Sequence, residues 1–350
     1  MTEKNWLGWK EAFEKEAKDR HSINSKTLCT YGIKALDDSM LGIANNELVV
    51  IGADSGHGKS ELALHIARYN AQKGKRVAVY ALEGGYDEVI ARMKWRDICD
   101  VYYNPKNQYT AEGIDMDYRK WKLNYAESPT LIDIEDNIRE TYKDLYRDNL
   151  HIYDSKDGLT IDTFYSALMD FHKFVKAPEG SPFQVTSQFD VDLIIIDHLQ
   201  YFSLTKPESE LFEITQILKA VKDITEHHKI PVVLISHLRK KGKDRGFPSQ
   251  EDFYGTSNIP KIANTAITLM PDFEKEFLVD GIFPTFMRIV KSRIGLRSNY
   301  AFRINFNLNT RTYEDNYQIY RIDESGYVFI DPMPQKDLPT WAKRKENNAD

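Results

Sequence analysis

The chain has 350 residues, about two to three times a typical domain, with 41 % hydrophobic and 29 % charged residues, a balance that supports a sizeable core and excludes a mostly disordered polymer. Lys and Arg number 47 against 53 Asp and Glu, a formal charge of −6, so the molecule is no general polycation and any nucleic-acid contact must come from a local basic patch. Two cysteines exclude a disulfide framework or a four-cysteine zinc site, and no apolar run approaches the roughly 18 residues of a membrane span, which together point to a reducing, cytoplasmic setting with no membrane contact.

In chain order, residues 5–20 place Trp6, Trp9, Phe13 and Ala17 three to four apart, which predicts an amphipathic helix. Residues 1–26 are read as this N-terminal helix, 27–335 as one large domain and 336–350 as a flexible polar tail. From Leu48, short β-branched runs alternate with helical stretches: Leu48–Ile51, Val77–Leu82, Leu150–Tyr153, Leu193–Asp197, Val232–Ser236, Ala266–Met270 and Met287–Val290. Continuous apolar strands separated by helices predict an α/β fold, with a mainly parallel central sheet flanked by helices. Residues 100–149, rich in Tyr, Asn, Asp and Lys, break this rhythm and read as a polar helical excursion outside the sheet.

Directly after the first strand comes Ala53-Asp54-Ser55-Gly56-His57-Gly58-Lys59-Ser60, and the helical run Glu61–Gln72 follows. In a strand–glycine loop–helix arrangement, successive backbone N–H groups wrap a nucleoside triphosphate and the helix N-terminus faces it. Lys59 would reach the β- and γ-phosphates and the Ser60 hydroxyl would ligate Mg²⁺, making residues 53–61 the candidate ATP site. Asp197 ends an apolar strand; at the C-terminal edge of a parallel sheet such a carboxylate faces the ligand and can hold Mg²⁺ through water. Glu83, just past the second strand, is placed to deprotonate an attacking water. A solvated strand end fits either acid on local grounds. The run Arg239–Arg245 packs five cations and one acid into seven residues. It is either a solvated turn or, through Arg239, Lys240, Lys241, Lys243 and Arg245, a local patch able to grip nucleic-acid phosphates. Lys291 and Arg293, two apart on a predicted strand, project to one side.

The order IGADSGHGKS, YALEGG, LIIIDHLQ, VVLISHLRK and IVKSRIG resembles the RecA-like motor domain of the DnaB family of replicative helicases, phage and Twinkle-like members included, over residues 27–310. The segment TLCTYGIKALDD looks like the family's entry into that domain. The resemblance implies a RecA-like P-loop NTPase fold using ATP and Mg²⁺, with Glu83 as catalytic base and His237 as the sensor of the γ-phosphate. His237 nudges the chain toward the phage branch, since bacterial members usually have Gln there. The resemblance also implies that Lys291 and Arg293 complete a neighbour's site, hence a head-to-tail ring, a homo-hexamer in this family, moving on single-stranded DNA in replication. Residues 1–26 would then be the linker helix that docks on the adjacent protomer, although packing on its own domain fits equally, and a primase or loader would be a further partner. A KaiC- or RecA-like ATPase switch that binds DNA or a partner without unwinding would use the same phosphate-site residues, so the sequence leaves that reading open.

Overall fold

The computed structural model describes residues 8–22, 28–107, 109–124, 128–142, 148–154, 158–176, 185–204, 209–239, 246–255, 258–272, 281–293, 299–323, 326–329 and 331–343. Its strands are β1 (Leu48–Ala53), β2 (Val77–Ala81), β3 (Leu150–Asp154), β4 (His172–Lys176), β5 (Val185–Phe189), β6 (Leu193–Asp197), β7 (Val232–His237), β8 (Thr265–Pro271), β9 (Ile282–Ser292), β10 (Tyr300–Asn307) and β11 (Thr312–Arg321). The helices are α1 (Trp9–Ser22), α2 (Lys34–Met40), α3 (Lys59–Gln72), α4 (Gly85–Tyr102), α5 (Tyr118–Lys122), α6 (Pro129–Thr141), α7 (Ile161–Leu168), α8 (Glu210–His227) and α9 (Asn258–Ile262). Among the described residues, no helix is long and apolar enough to cross a membrane.

One sheet runs in the order β11-β10-β9-β8-β1-β7-β6-β2-β3. The strands from β8 to β3 are parallel, which requires crossovers that cover both faces. Side chains therefore alternate between two cores. Val49, Ile51, Val79, Ile195, Val233 and Ile235 pack with Leu62, Ile66 and Ala67 of α3, while Leu48, Val50, Tyr80, Ile194, Ile196 and Leu234 pack with Ile217, Leu218 and Val221 of α8. Burial on both faces leaves the C-terminal strand ends as the place where polar side chains gather, and the chain passes from β1 to β2 across the later β6 and β7, opening a crevice there.

The expected mainly parallel sheet is found, with additions. Antiparallel strands β9, β10 and β11 extend it beyond β8, and β4–β5 forms a separate hairpin. In β10, Phe302, Ile304 and Phe306 are buried at alternate positions, with the small Ala301 buried beside them, and much of β11 is exposed. Half-buried strands carry no continuous apolar run, so they do not stand out in the sequence. The excursion is helical and has a small core of its own, in which Trp95, Ile98 and Tyr102 of α4 meet Leu131, Ile134 and Ile138 of α6. Ser128 caps α6 by accepting from the Leu131 N–H, and Pro129 occupies its first turn, a position where the missing proline N–H costs no hydrogen bond. The α1 helix leaves its apolar stripe uncovered, with Trp9 83 % and Phe13 60 % exposed.

Of the expected tail, residues 336–343 are among those described and 344–350 lie outside them. Leu338, Trp341 and Ala342 pack on the core, Trp341 lies 6.0 Å from Phe302 edge to face, and Arg321 reaches Asp337 at 3.5 Å. Polar composition around a single Trp concealed this, because one aromatic ring anchors a segment that its average hydropathy would release. Replacing Trp341 by Ala is expected to cost about 1 kcal/mol and to lower Tm by a few degrees. An unchanged Tm would return residues 336–343 to a loose tail.

Candidate active site

Between β1 and α3 the chain turns through Gly56 (φ +80°) and Gly58 (φ +82°), a left-handed conformation that side-chain-bearing residues rarely adopt. Gly58 is also the N-cap of α3 and supplies no side-chain cap, so the first N–H groups of α3 point out of the helix without one, as an anion site requires. Asp54 and His57 are partly buried on this loop, Ser55 and Gly56 are exposed, and Ala53 is buried at its start. Lys59 is buried and Ser60 stands beside it at the start of α3.

The other strand ends converge on this loop. The Leu82 and Glu83 N–H groups both donate to the Asp197 carbonyl, at 2.6 and 3.2 Å, which holds Glu83 beside the end of β6. Asp197 is buried with Oδ1 unpartnered. Burial pushes its carboxyl up to about 6, helped by the Glu83 charge and opposed by the Ser60 hydrogen bond and the Lys59 and Arg92 cations. A buried carboxylate oxygen without a partner, next to a serine hydroxyl, is an oxygen donor set that suits Mg²⁺. His237 pairs with Ala53 across β1 and β7, and its N–H donates to Gln200 Oε1 at 3.2 Å. Burial, then the Lys59 cation, lowers its pKa. Lys59, Ser60, Glu83 and Asp197 all line one cavity of about 480 Å³, within the range of small-ligand sites.

Several residues of this site were not read from the sequence. Phe283, Phe306 and Leu308, brought by β9 and β10, form an apolar wall, and Glu88, Arg92 and Arg311 join them. Their one sequence signal is the period-two spacing of Phe302, Ile304 and Phe306. His198 immediately follows Asp197 and is wholly buried. Its Nε2 lies 3.2 Å from Glu83 Oε2, its ring centroid is 4.2 Å from that of His237, and burial pushes its pKa down to about 3.

Other residues predicted for the site are placed differently. The Glu61 carboxylate is held by Arg96 at 2.6 Å, Arg92 at 3.1 Å and Arg311, so its side chain braces α4 against the loop. Lys291 and Arg293 do not line the cavity of their own chain. The Lys291 ammonium donates to the Lys261 and Ala263 carbonyls at 3.0 and 2.7 Å and also to that of Pro260, while Arg293 approaches the Lys261 carbonyl at 3.5 Å. Arg239 is anchored by its N–H to the Asp252 carbonyl at 2.7 Å. Lys240, Lys241, Lys243 and Arg245 lie outside the described residues.

The family model of the DnaB-like helicase C terminal domain matches residues 29–315. A probable plasmid replicative DNA helicase of Chlamydia psittaci is 24% identical over 256 residues, covering 72% of this chain and 48% of that protein. A DNA helicase/primase of Enterobacteria phage T3 is 23% identical over 247 residues, covering 68% and 38%. The chain thus spans about half of the first relative and less of the second. A solved DnaB-like replicative helicase superposes with a TM-score of 0.62 at 18% identity, covering 92% of this chain and 68% of that one, which shows a shared RecA-like fold.

Removing one partner from a buried ionic cluster leaves uncompensated charge. Because Arg96 is wholly buried, Glu61→Ala is expected to cost about 3–5 kcal/mol, read from a denaturant midpoint. An unchanged midpoint would mean that water, not Glu61, compensates these guanidiniums.

Proposed function

The chain belongs to the DnaB-like helicase C-terminal domain family, and from that premise we propose that it is an ATP-driven, ring-forming motor that moves on single-stranded DNA and unwinds duplex in replication. The observation that carries this reading is the convergence of Lys59, Asp197, Glu83 and His237 on one cluster of strand ends. In it, the glycine loop and the α3 N-terminus hold the triphosphate, and Lys59 neutralises charge on the β- and γ-phosphates. Ser60 and Asp197 would hold Mg²⁺, which when bound offsets developing phosphate charge. Glu83 accepts a proton from the attacking water as the water oxygen bonds the γ-phosphorus; the bond to the β–γ bridging oxygen breaks and ADP leaves. His237 reads the γ-phosphate, and the nucleobase rests on the wall of Phe283, Phe306 and Leu308.

The remaining parts follow from the same reading. Arg293 acts on a neighbour's nucleotide, in a homo-hexameric ring closed head to tail. The uncovered Trp9 and Phe13 stripe of α1 is the face that docks on the adjacent protomer. A groove between α4, α6 and β3, lined by Ile90, Met93, Ile138 and Ile152, is its seat. The cations of Arg239 to Arg245, which follow the sensor in the sequence, grip the phosphates of the strand. A primase is the natural further partner, as the name of the phage T3 relative suggests, and the setting is the cytoplasm.

Lys59→Ala is expected to lower ATP turnover by about 10²-fold or more and Glu83→Gln by about 10²–10⁴-fold, the latter with ATP still bound. Both should leave a forked duplex intact where wild type separates it. Wild-type hydrolysis that leaves the fork closed would favour a non-unwinding ATPase switch. Arg293→Ala and Lys59→Ala proteins, each inactive alone, are expected to regain activity when mixed, at interfaces pairing an intact Lys59 with an intact Arg293. Subunit exchange without regained turnover would argue against a finger supplied in trans.

A further inference from the structure

A general base works only if its carboxylate is held toward the water it deprotonates, yet the Glu83 side chain lies past the end of β2 and is 32 % exposed. Backbone hydrogen bonds to Asp197 fix its main chain and leave its side-chain rotation undetermined. The group poised to determine it is His198. This ring accepts the Gln200 N–H on Nδ1 at 3.3 Å, and an imidazole that accepts at Nδ1 carries its proton on Nε2. Nε2 is buried, and it faces Glu83 Oε2 at 3.2 Å, in a direction too oblique for a well-formed hydrogen bond. Hydrogen bonds within catalytic groups are commonly loose before the substrate arrives and tighten afterwards.

The same ring is wedged between the base and the proposed sensor. Its centroid is 4.2 Å from that of His237, with planes at 76°, and 4.6 Å from that of Tyr201, at 77°. Two edge-to-face contacts and a capping hydrogen bond leave it little room to turn independently. We infer that His198 is a positioning residue: its Nε2–H aims the Glu83 carboxylate, and its contact with His237 transmits the state of the γ-phosphate to the base. This rests on the assignment of Glu83 as base and His237 as sensor. The role needs a neutral, acceptor-and-donor side chain of this reach. Asn could keep the capping bond from Gln200 but falls short of Glu83, whereas Gln places an N–H near the Nε2 position.

Steady-state hydrolysis by the full chain tests this. His198→Asn is expected to lower kcat by about 10- to 100-fold, as for groups that orient a catalytic residue, with KM for ATP within about twofold. His198→Gln is expected to recover at least about tenfold of a hundredfold loss, or most of a smaller one. Because His198 acts through Glu83, adding His198→Asn to Glu83→Gln should lower kcat by less than about twofold further. Wild-type kcat in His198→Asn, beside an inactive Glu83→Gln, overturns the inference alone. So does a full multiplication of the two losses. Wild-type kcat in Glu83→Gln overturns the base assignment and the inference with it. Histidine side-chain nitrogen NMR on the wild-type chain needs no variant: a proton on Nε2 of His198 is expected, and a proton on Nδ1 overturns the inference.

Discussion

Two backbone hydrogen bonds, from the Leu82 and Glu83 N–H groups to the Asp197 carbonyl, hold together everything the cleft does. They extend the β2–β6 pairing past the end of both strands, so the acid after β2 cannot drift from the acid at the end of β6. Both strands are buried along their length, and neither can slide without moving its apolar residues out of register with α3 or α8. The separation of the two residues' main chains is therefore set by the core. The same logic places His237, since β7 lies in register with β1 and brings its last residue level with Ala53, where the glycine loop begins.

Ionic and ring contacts on α4 carry this rigidity outward. One side of the helix presents Glu88, Arg92 and Arg96 to the cleft and to Glu61, and the other joins the small core of the excursion. Tyr118 and Lys122, on α5, reach Glu88 at 3.2 and 3.1 Å, and the Arg311 guanidinium lies 4.0 Å over the Tyr118 ring while paired with Glu61. Single pairs that are partly exposed contribute little. Here several share one buried carboxylate, and the wholly buried Arg96 makes that carboxylate hard to lose. A segment that composition sets apart from the sheet thus braces the wall of the candidate cleft.

The end of β9 divides two cations that look equivalent in sequence. Lys291 is held by the carbonyls at the C-terminal end of α9, where a positive charge is favoured by the unpaired C=O groups, and burial lowers its pKa. Arg293, past the strand, donates its backbone N–H to the Asn264 carbonyl at 3.1 Å, while its guanidinium, among the described residues, makes a long contact to the Lys261 carbonyl. In the proposed ring, Lys291 fixes the strand end from which Arg293 reaches the neighbour.

The sequence by itself determined the parallel half of the sheet and picked out the glycine loop between β1 and α3 as the candidate phosphate site. Strands buried on both faces must be continuous apolar runs, and a loop that wraps phosphate must carry glycines, a lysine and a hydroxyl at adjacent positions. Asp197, Glu83 and His237 were legible for the same reason, as polar residues ending apolar runs. Only the tertiary structure decided what stands opposite them. Phe283 and Phe306 arrive from half-buried antiparallel strands whose alternation is weak against a polar background, and Arg311 from the turn between β10 and β11. The side chain of Glu61 turns to guanidiniums contributed by residues 31, 35 and 250 positions away. The ring of His198, beside an obvious carboxylate, gains meaning only where β2 and β7 bring Glu83 and His237 to its two sides. Contacts of this kind depend on strand order and on side-chain packing between distant segments, which a linear pattern does not contain.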